Sequence, residues 1–171
     1  MRTTRALAVI GAFIVAGASV TAESGDWMQR PEIQEVRAVV HEIDAGLEES
    51  RFTTRTREFE YCYPSDTSRS LYSDAGGLHP LYVVEGGSGD SARTVKYYYD
   101  ARRVLRFGFA SIRAVNGTHL EIRVYFDRSG KEIYQDWRHI AGPGWATSFG
   151  EFVADPLVDF ESGGTCPEKA P

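Results

Sequence analysis

Only one stretch of this chain has helical periodicity; everything after it alternates with the period of a strand, and that contrast restricts the folds open to it. Ile33, Val36, Val40, Ile43 and Leu47 recur at spacings of three and four, which places them on one face of a helix of about Pro31 to Glu49. Pro31 suits a first turn, where a missing N–H leaves no bond unmade, and Glu32 and Glu35 sit at the positive end of the helix dipole. Gly46 weakens the far end. So short an apolar stripe predicts packing on the chain's own sheet, not a coiled coil.

From Phe52 onward β-branched and aromatic residues come in short runs separated by Gly, Pro, Ser and Asp clusters. Candidate strands are Thr54–Tyr63, Ser70–Ser73, Leu81–Glu85, Thr94–Asp100, Val104–Val115, Leu120–Asp127 and Glu132–Ile140, and Gly86–Asp90 reads as a flexible loop. No second strong helix is predicted. A one-faced helix and a sheet with one apolar face bury those faces against each other, so the predicted fold is α+β. It has one N-terminal helix on a five- to seven-stranded antiparallel meander.

Turn chemistry sharpens the register. Asn116-Gly117 favours a two-residue type I′ hairpin pairing Val115 with Thr118, which sets Phe107 opposite Phe126 and Phe109 opposite Val124. Asp127-Arg-Ser-Gly130-Lys131 suits a type I turn with Gly130 left-handed, which places His119 opposite His139. A loop one residue longer aligns Ile122 with Trp137, a better apolar match that sends the two histidines to opposite faces. Both registers remain open from the residues alone.

Tyr98-Tyr-Asp100-Ala-Arg-Arg-Val-Leu-Arg106 is echoed by Tyr125-Phe-Asp127-Arg-Ser-Gly-Lys-Glu-Ile133, each reading as strand, Asp-led turn and strand. Two copies predict recurrent hairpins within one sheet, not a solenoid. With Arg123-Val-Tyr-Phe-Asp127, these segments resemble a diffuse group of small exported bacterial proteins of unknown function. The resemblance covers roughly residues 94 to 137. It implies a helix ahead of the hairpins and carries no activity, cofactor or site residue.

Export is also legible at the N-terminus. Arg2 and Arg5 precede an uncharged apolar run from Ala6 to Val20, and Val20-Thr21-Ala22 ends it with small residues, so a signal peptide cleaved after Ala22 is predicted. The run falls short of the roughly twenty residues that span a bilayer, so no stable membrane insertion is expected after cleavage. Cleavage of 22 residues from 171 would leave 149, enough for one α+β domain over 23–171. It would also leave 17 basic against 24 acidic residues, a net charge of −7. That balance, with no basic stripe, argues against nucleic acid as a partner. In an oxidising compartment the two cysteines, Cys62 and Cys166, are expected to form one disulfide that tethers the C-terminal tail.

Motifs for chemistry are sparse. His41-Glu42 opens like a zinc-protease helix, but position 45 is Ala where the second ligand belongs. Gly87-Ser88-Gly89 lacks the strand and helix of a nucleophile elbow. His119 and His139 would supply at most half of a zinc site, so no metal or other cofactor is expected. The candidate ligand face is therefore aromatic and polar: Tyr97, Tyr99, Arg123, Tyr125, His119 and His139. The favoured reading is a non-enzymatic exported module that binds a protein or envelope ligand. The alternative is a small periplasmic or secreted hydrolase using His119 or His139.

Overall fold

A computed structural model describes residues 27–60, 67–150 and 152–163. Cys62, Cys166 and the Met1–Ala22 leader lie outside the described residues, and with them the expected disulfide and signal peptide. After a 3₁₀ turn at Trp27–Gln29 comes helix α1, Pro31–Glu48, with Pro31 in its first turn. Ile33, Val36 and Ile43 are buried, Val40 and Leu47 half-buried, and His41 exposed.

Seven strands follow: β1 Thr53–Phe59, β2 Thr67–Ser73, β3 Leu81–Ser88, β4 Ser91–Tyr99, β5 Leu105–Ala114, β6 His119–Phe126 and β7 Glu132–Ala141. They form one antiparallel sheet in strict sequence order, β1 to β7. The fold is α+β, at the upper end of the expected strand count. A short helix α2, Pro156–Ser162, closes the described chain.

Three differences from the sequence reading have local causes. First, Ala114 pairs with Thr118, so Val115-Asn116-Gly117 is a three-residue loop, and only Gly117 takes positive φ (84°). This type I turn with a left-handed Gly accommodates Asn-Gly as well as type I′ does. It shifts the register by one, so Phe107 faces Tyr125 and Phe109 faces Arg123. Second, the glycines of Gly86–Asp90 are not a loose loop. Gly86 and Gly87 stay in the ladder opposite Arg93 and Ala92, and only Gly89-Asp90 turn the chain between Ser88 and Ser91. Third, α2 exists, capped by the Asp155 carboxylate, which accepts the Leu157 and Val158 amides at 3.0 and 3.1 Å, and ended by left-handed Gly163.

The β6–β7 turn takes the tight form, with Asp127 N–H donating to Lys131 C=O at 2.9 Å and Gly130 at φ 82°. A bulge at Ile133 then moves the register, so Ile122 faces Trp137 and Leu120 faces His139.

Among the described residues the Asp-led turn occurs three times, not twice. Asp74, Asp100 and Asp127 each donate N–H to the carbonyl four residues on, at 2.9–3.0 Å. Each also accepts, on its own Oδ1, the amides two and four residues on. The residue three after each Asp is left-handed: Gly77 (φ 76°), Arg103 (63°) and Gly130 (82°). The three turns share one end of the sheet because they join β2–β3, β4–β5 and β6–β7.

Helix α1 lies across one face near that end. Glu35 takes a two-pronged ion pair from Arg128 at 2.9 and 2.8 Å, and Tyr98 O–H donates to Asp44 at 3.2 Å. Beneath it lie Leu81, Val83, Tyr98, Phe107 and Tyr125. The opposite face is also apolar and covered, contrary to a sheet with one apolar side. A strap running from Gly142 into α2 buries Phe149 and Phe160 on Leu71, Tyr82, Tyr97 and Tyr99. Phe149 fits edge-on to Tyr97 and over Gly108, where a Cβ would run into its ring.

Candidate functional site

Cross-strand pairing assigns each candidate residue to a face, because direct partners share a side and neighbours along a strand do not. Tyr97 and Tyr99 point into the strap layer and are buried, and the Tyr99 O–H donates to Val153 C=O at 2.6 Å. Tyr125 lies on the other face, buried beside Phe107 and edge-on to Trp27. Arg123 and His119 share that helix-side face, beyond the reach of α1, whereas His139 pairs with Leu120 on the strap side and is exposed. The six residues therefore split between two faces and form no common surface. Both sheet faces carry aromatics, so alternation alone did not show which tyrosines would be covered.

On the helix side, His119 Nε2 lies 3.4 Å from Ser111 Oγ and 3.6 Å from Glu121 Oε1. Both groups meet the same ring nitrogen, whereas a nucleophile relay needs the carboxylate on the other one. Glu121 is instead paired at 2.6 Å with Arg123, whose guanidinium sits 5.3 Å from the Phe109 ring centre. This is a sheet-surface charge lattice, continued on β7 by Asp136 and Arg138 at 2.7 Å.

The strap side of the sheet's other end is different. Val115 (81 % exposed), Trp137 (46 %) and Trp145 (42 %) line the hollows there. A cleft of about 430 Å³ is lined by Leu120, Trp137, Arg138, His139, Pro143 and Trp145. A second hollow of about 320 Å³, between the Asp90 and Asn116 turns, shares Trp145 as its wall. Gly142-Pro-Gly144 makes this possible. Gly142 (φ 75°) presses against the Gly117–Thr118 backbone, where a Cβ would not fit, and Gly144 N–H donates to Thr118 Oγ1 at 3.2 Å. The chain so reverses that Trp145 faces the end of β7. His139 Nε2 reaches Ala141 C=O at 3.0 Å, which holds the imidazole against Gly144. The Gly-Pro-Gly-Trp run was the available sequence signal for this corner.

Such a cleft offers flat apolar walls and one imidazole, the Arg138 guanidinium being turned to the helix side beside Asp136, and its lining includes neither a nucleophile nor a carboxylate. It is equipped to hold a ligand by stacking and hydrogen bonding. Among the described residues, no three His, Cys, Asp or Glu side chains gather as metal ligands, and no helix is long and apolar enough to cross a membrane.

The fold and the corner define an α+β meander, strapped on one face and helix-covered on the other, with an open aromatic cleft at the end away from the Asp turns. No family model, curated protein or solved structure matches the chain.

Proposed function

We propose that this protein is an exported, non-enzymatic binding module of the cell envelope that engages a protein or envelope ligand through the Trp137–Trp145 corner. The observation that carries the reading is the gathering of exposed Val115, Trp137 and Trp145 around two adjoining hollows. Scattered surface apolar residues need no explanation, but a contiguous aromatic patch with polar groups at its rim is a contact surface. Export rests on the Met1–Ala22 pattern. The hydrolase alternative has less support, since His119 meets Ser111 and Glu121 through one nitrogen and His139 sits on the other face.

Two experiments test this. The full chain, tagged at its C-terminus and fractionated, is expected outside the cytoplasm and shortened by the 22-residue leader; full-length protein retained in the cytoplasm overturns export. Affinity capture from native envelope is then compared between residues 23–171 and the Trp145→Ala variant. A ligand held by the first and lost by the second is expected, and equal capture by both overturns this corner as the site.

A further inference from the structure

Among the described residues the strand order leaves two sheet edges, β1 and β7, and they differ in whether a second copy could pair with them. A two-fold axis perpendicular to the sheet joins equal edges antiparallel, bringing together residues at equal distances on either side of a central one. On β1 every central register repels: an axis at Thr56 sets Arg55 against Arg57 of the other copy, and an axis at either arginine sets it against itself. Those arginines are also engaged with the C-terminal helix, Arg55 with Glu161 at 2.9 Å and Arg57 with the Phe160 and Glu161 carbonyls at 3.0 and 2.7 Å.

β7 behaves oppositely. Its regular ladder runs between the irregularities at Ile133 and Ile140, and Trp137, Arg138 and His139 on it are exposed. An axis at Asp136 or Arg138 would oppose like charges, and one at Gln135 would carry the pairing through the Ile133 bulge. An axis at Trp137 sets Asp136 opposite Arg138 of the other copy, twice, with Gln135 opposite His139 and the two tryptophans across the axis. Within one chain, Arg123 already faces Asp136 and Glu121 already faces Arg138. The joined sheet therefore has two rows of four charges: Arg123, Asp136, then the second copy's Arg138 and Glu121, and the symmetric row. Signs alternate along both rows, which is the favourable cross-strand arrangement.

We propose that two copies of this chain join along β7 about a two-fold axis at Trp137, making one continuous fourteen-stranded sheet whose seam is set by the Asp136–Arg138 pairs. The proposal does not rest on the binding reading, although it would bring two aromatic clefts to either side of the seam. A single added strand pair is a small contact, so association is measured at about 0.1–1 mM, where interfaces below the standard ~1,200 Å² are still populated.

Sedimentation equilibrium on residues 23–171 is expected to show a dimer. Asp136→Arg and Arg138→Asp, each alone, place like charges across the seam and are expected to weaken dimerisation at least about tenfold. Reversing all four charges, Asp136→Arg/Arg138→Asp together with Glu121→Arg/Arg123→Glu, keeps opposite signs both within each chain and across the seam and is expected to restore the dimer. Trp145→Ala is expected to leave it unchanged. A wild-type monomer across that range overturns the proposal, as does a dimer indifferent to the single exchanges. Failure of a folded fourfold variant to recover overturns the Trp137-centred register.

Discussion

Arg103 occupies the left-handed position that Gly77 and Gly130 fill in the other two Asp turns, at φ 63°. A side chain with a Cβ is strained there by roughly 1–2 kcal/mol, whereas glycine is not. Arg103→Gly is therefore expected to stabilise the protein by about 1 kcal/mol, read as a higher urea midpoint, and Arg103→Val to lower it. The leading carboxylate matters as well. Partial burial acts to raise the Asp100 carboxyl, but the Val104 and Arg102 amides and the Arg106 guanidinium outweigh it and hold it below the ordinary carboxylate range. A depressed folded pKa contributes stability above the unfolded value that is lost as pH falls through the folded one. Urea midpoints between about pH 5 and pH 2 are expected to fall less steeply for Asp100→Asn, which keeps the amide acceptor but carries no titrating charge. Equal slopes would remove this turn from the acid response. At this scale the Asp100 and Asp127 turns were legible as matching strings. Asp74 escaped because the residues before it, Tyr72-Ser73, lack the aromatic pair of the other two.

The elements were legible where one periodicity ran long enough. α1 was bounded to within a residue of its observed end because five apolar positions marked its face. The β6–β7 pairing could not be resolved from sequence because two forces favoured different registers. Turn chemistry fixed Asp127–Lys131, apolar matching fixed Ile122 against Trp137, and the bulge at Ile133 satisfies both. α2 was missed since seven residues show no usable period, although Asp155 before it, Pro156 at its first position and Gly163 after it are start and stop signals. The strap was missed for the same reason, and with it the burial of Tyr97 and Tyr99. Its apolar anchor is Phe149, so Phe149→Ala is expected to cost about 3 kcal/mol. Faster amide exchange is expected in residues 145–163, with α1 unchanged. Polar ties act beside it: Asp159 accepts Arg69 at 2.6 Å and the Tyr82 hydroxyl at 2.5 Å. Asp159→Ala, which removes the carboxylate both share, is expected to cost on the order of 2 kcal/mol in the same unfolding measurement.

Across the whole molecule, the strap brings the C-terminal end of the described chain back to its first strand. A Cβ on Gly163 would collide with the Phe59 ring, so residues three positions before Cys166 and three before Cys62 are in contact. That proximity supports the proposed disulfide. Intact-mass measurement after thiol alkylation without reductant is expected to show no added label, and labelling at both cysteines would refute the bond. If the bond forms, a loop of about 100 residues closed in this way would confer up to ~4.7 kcal/mol through the unfolded chain, and reduction is then expected to lower the urea midpoint markedly.

The strict β1-to-β7 order also has a kinetic meaning. Each strand finds its partner in the next stretch of chain, so the sheet has low contact order and can zip up hairpin by hairpin. The strap contacts that link Arg57 and Arg69 to residues 159–161, about ninety to a hundred positions away, close the longest loops. If they form after the folding barrier, Phe149→Ala will leave the folding arm of the chevron nearly unmoved and place its cost in faster unfolding. The strap would then act as the latch that sets the lifetime of the native state, while the meander sets how quickly that state is reached.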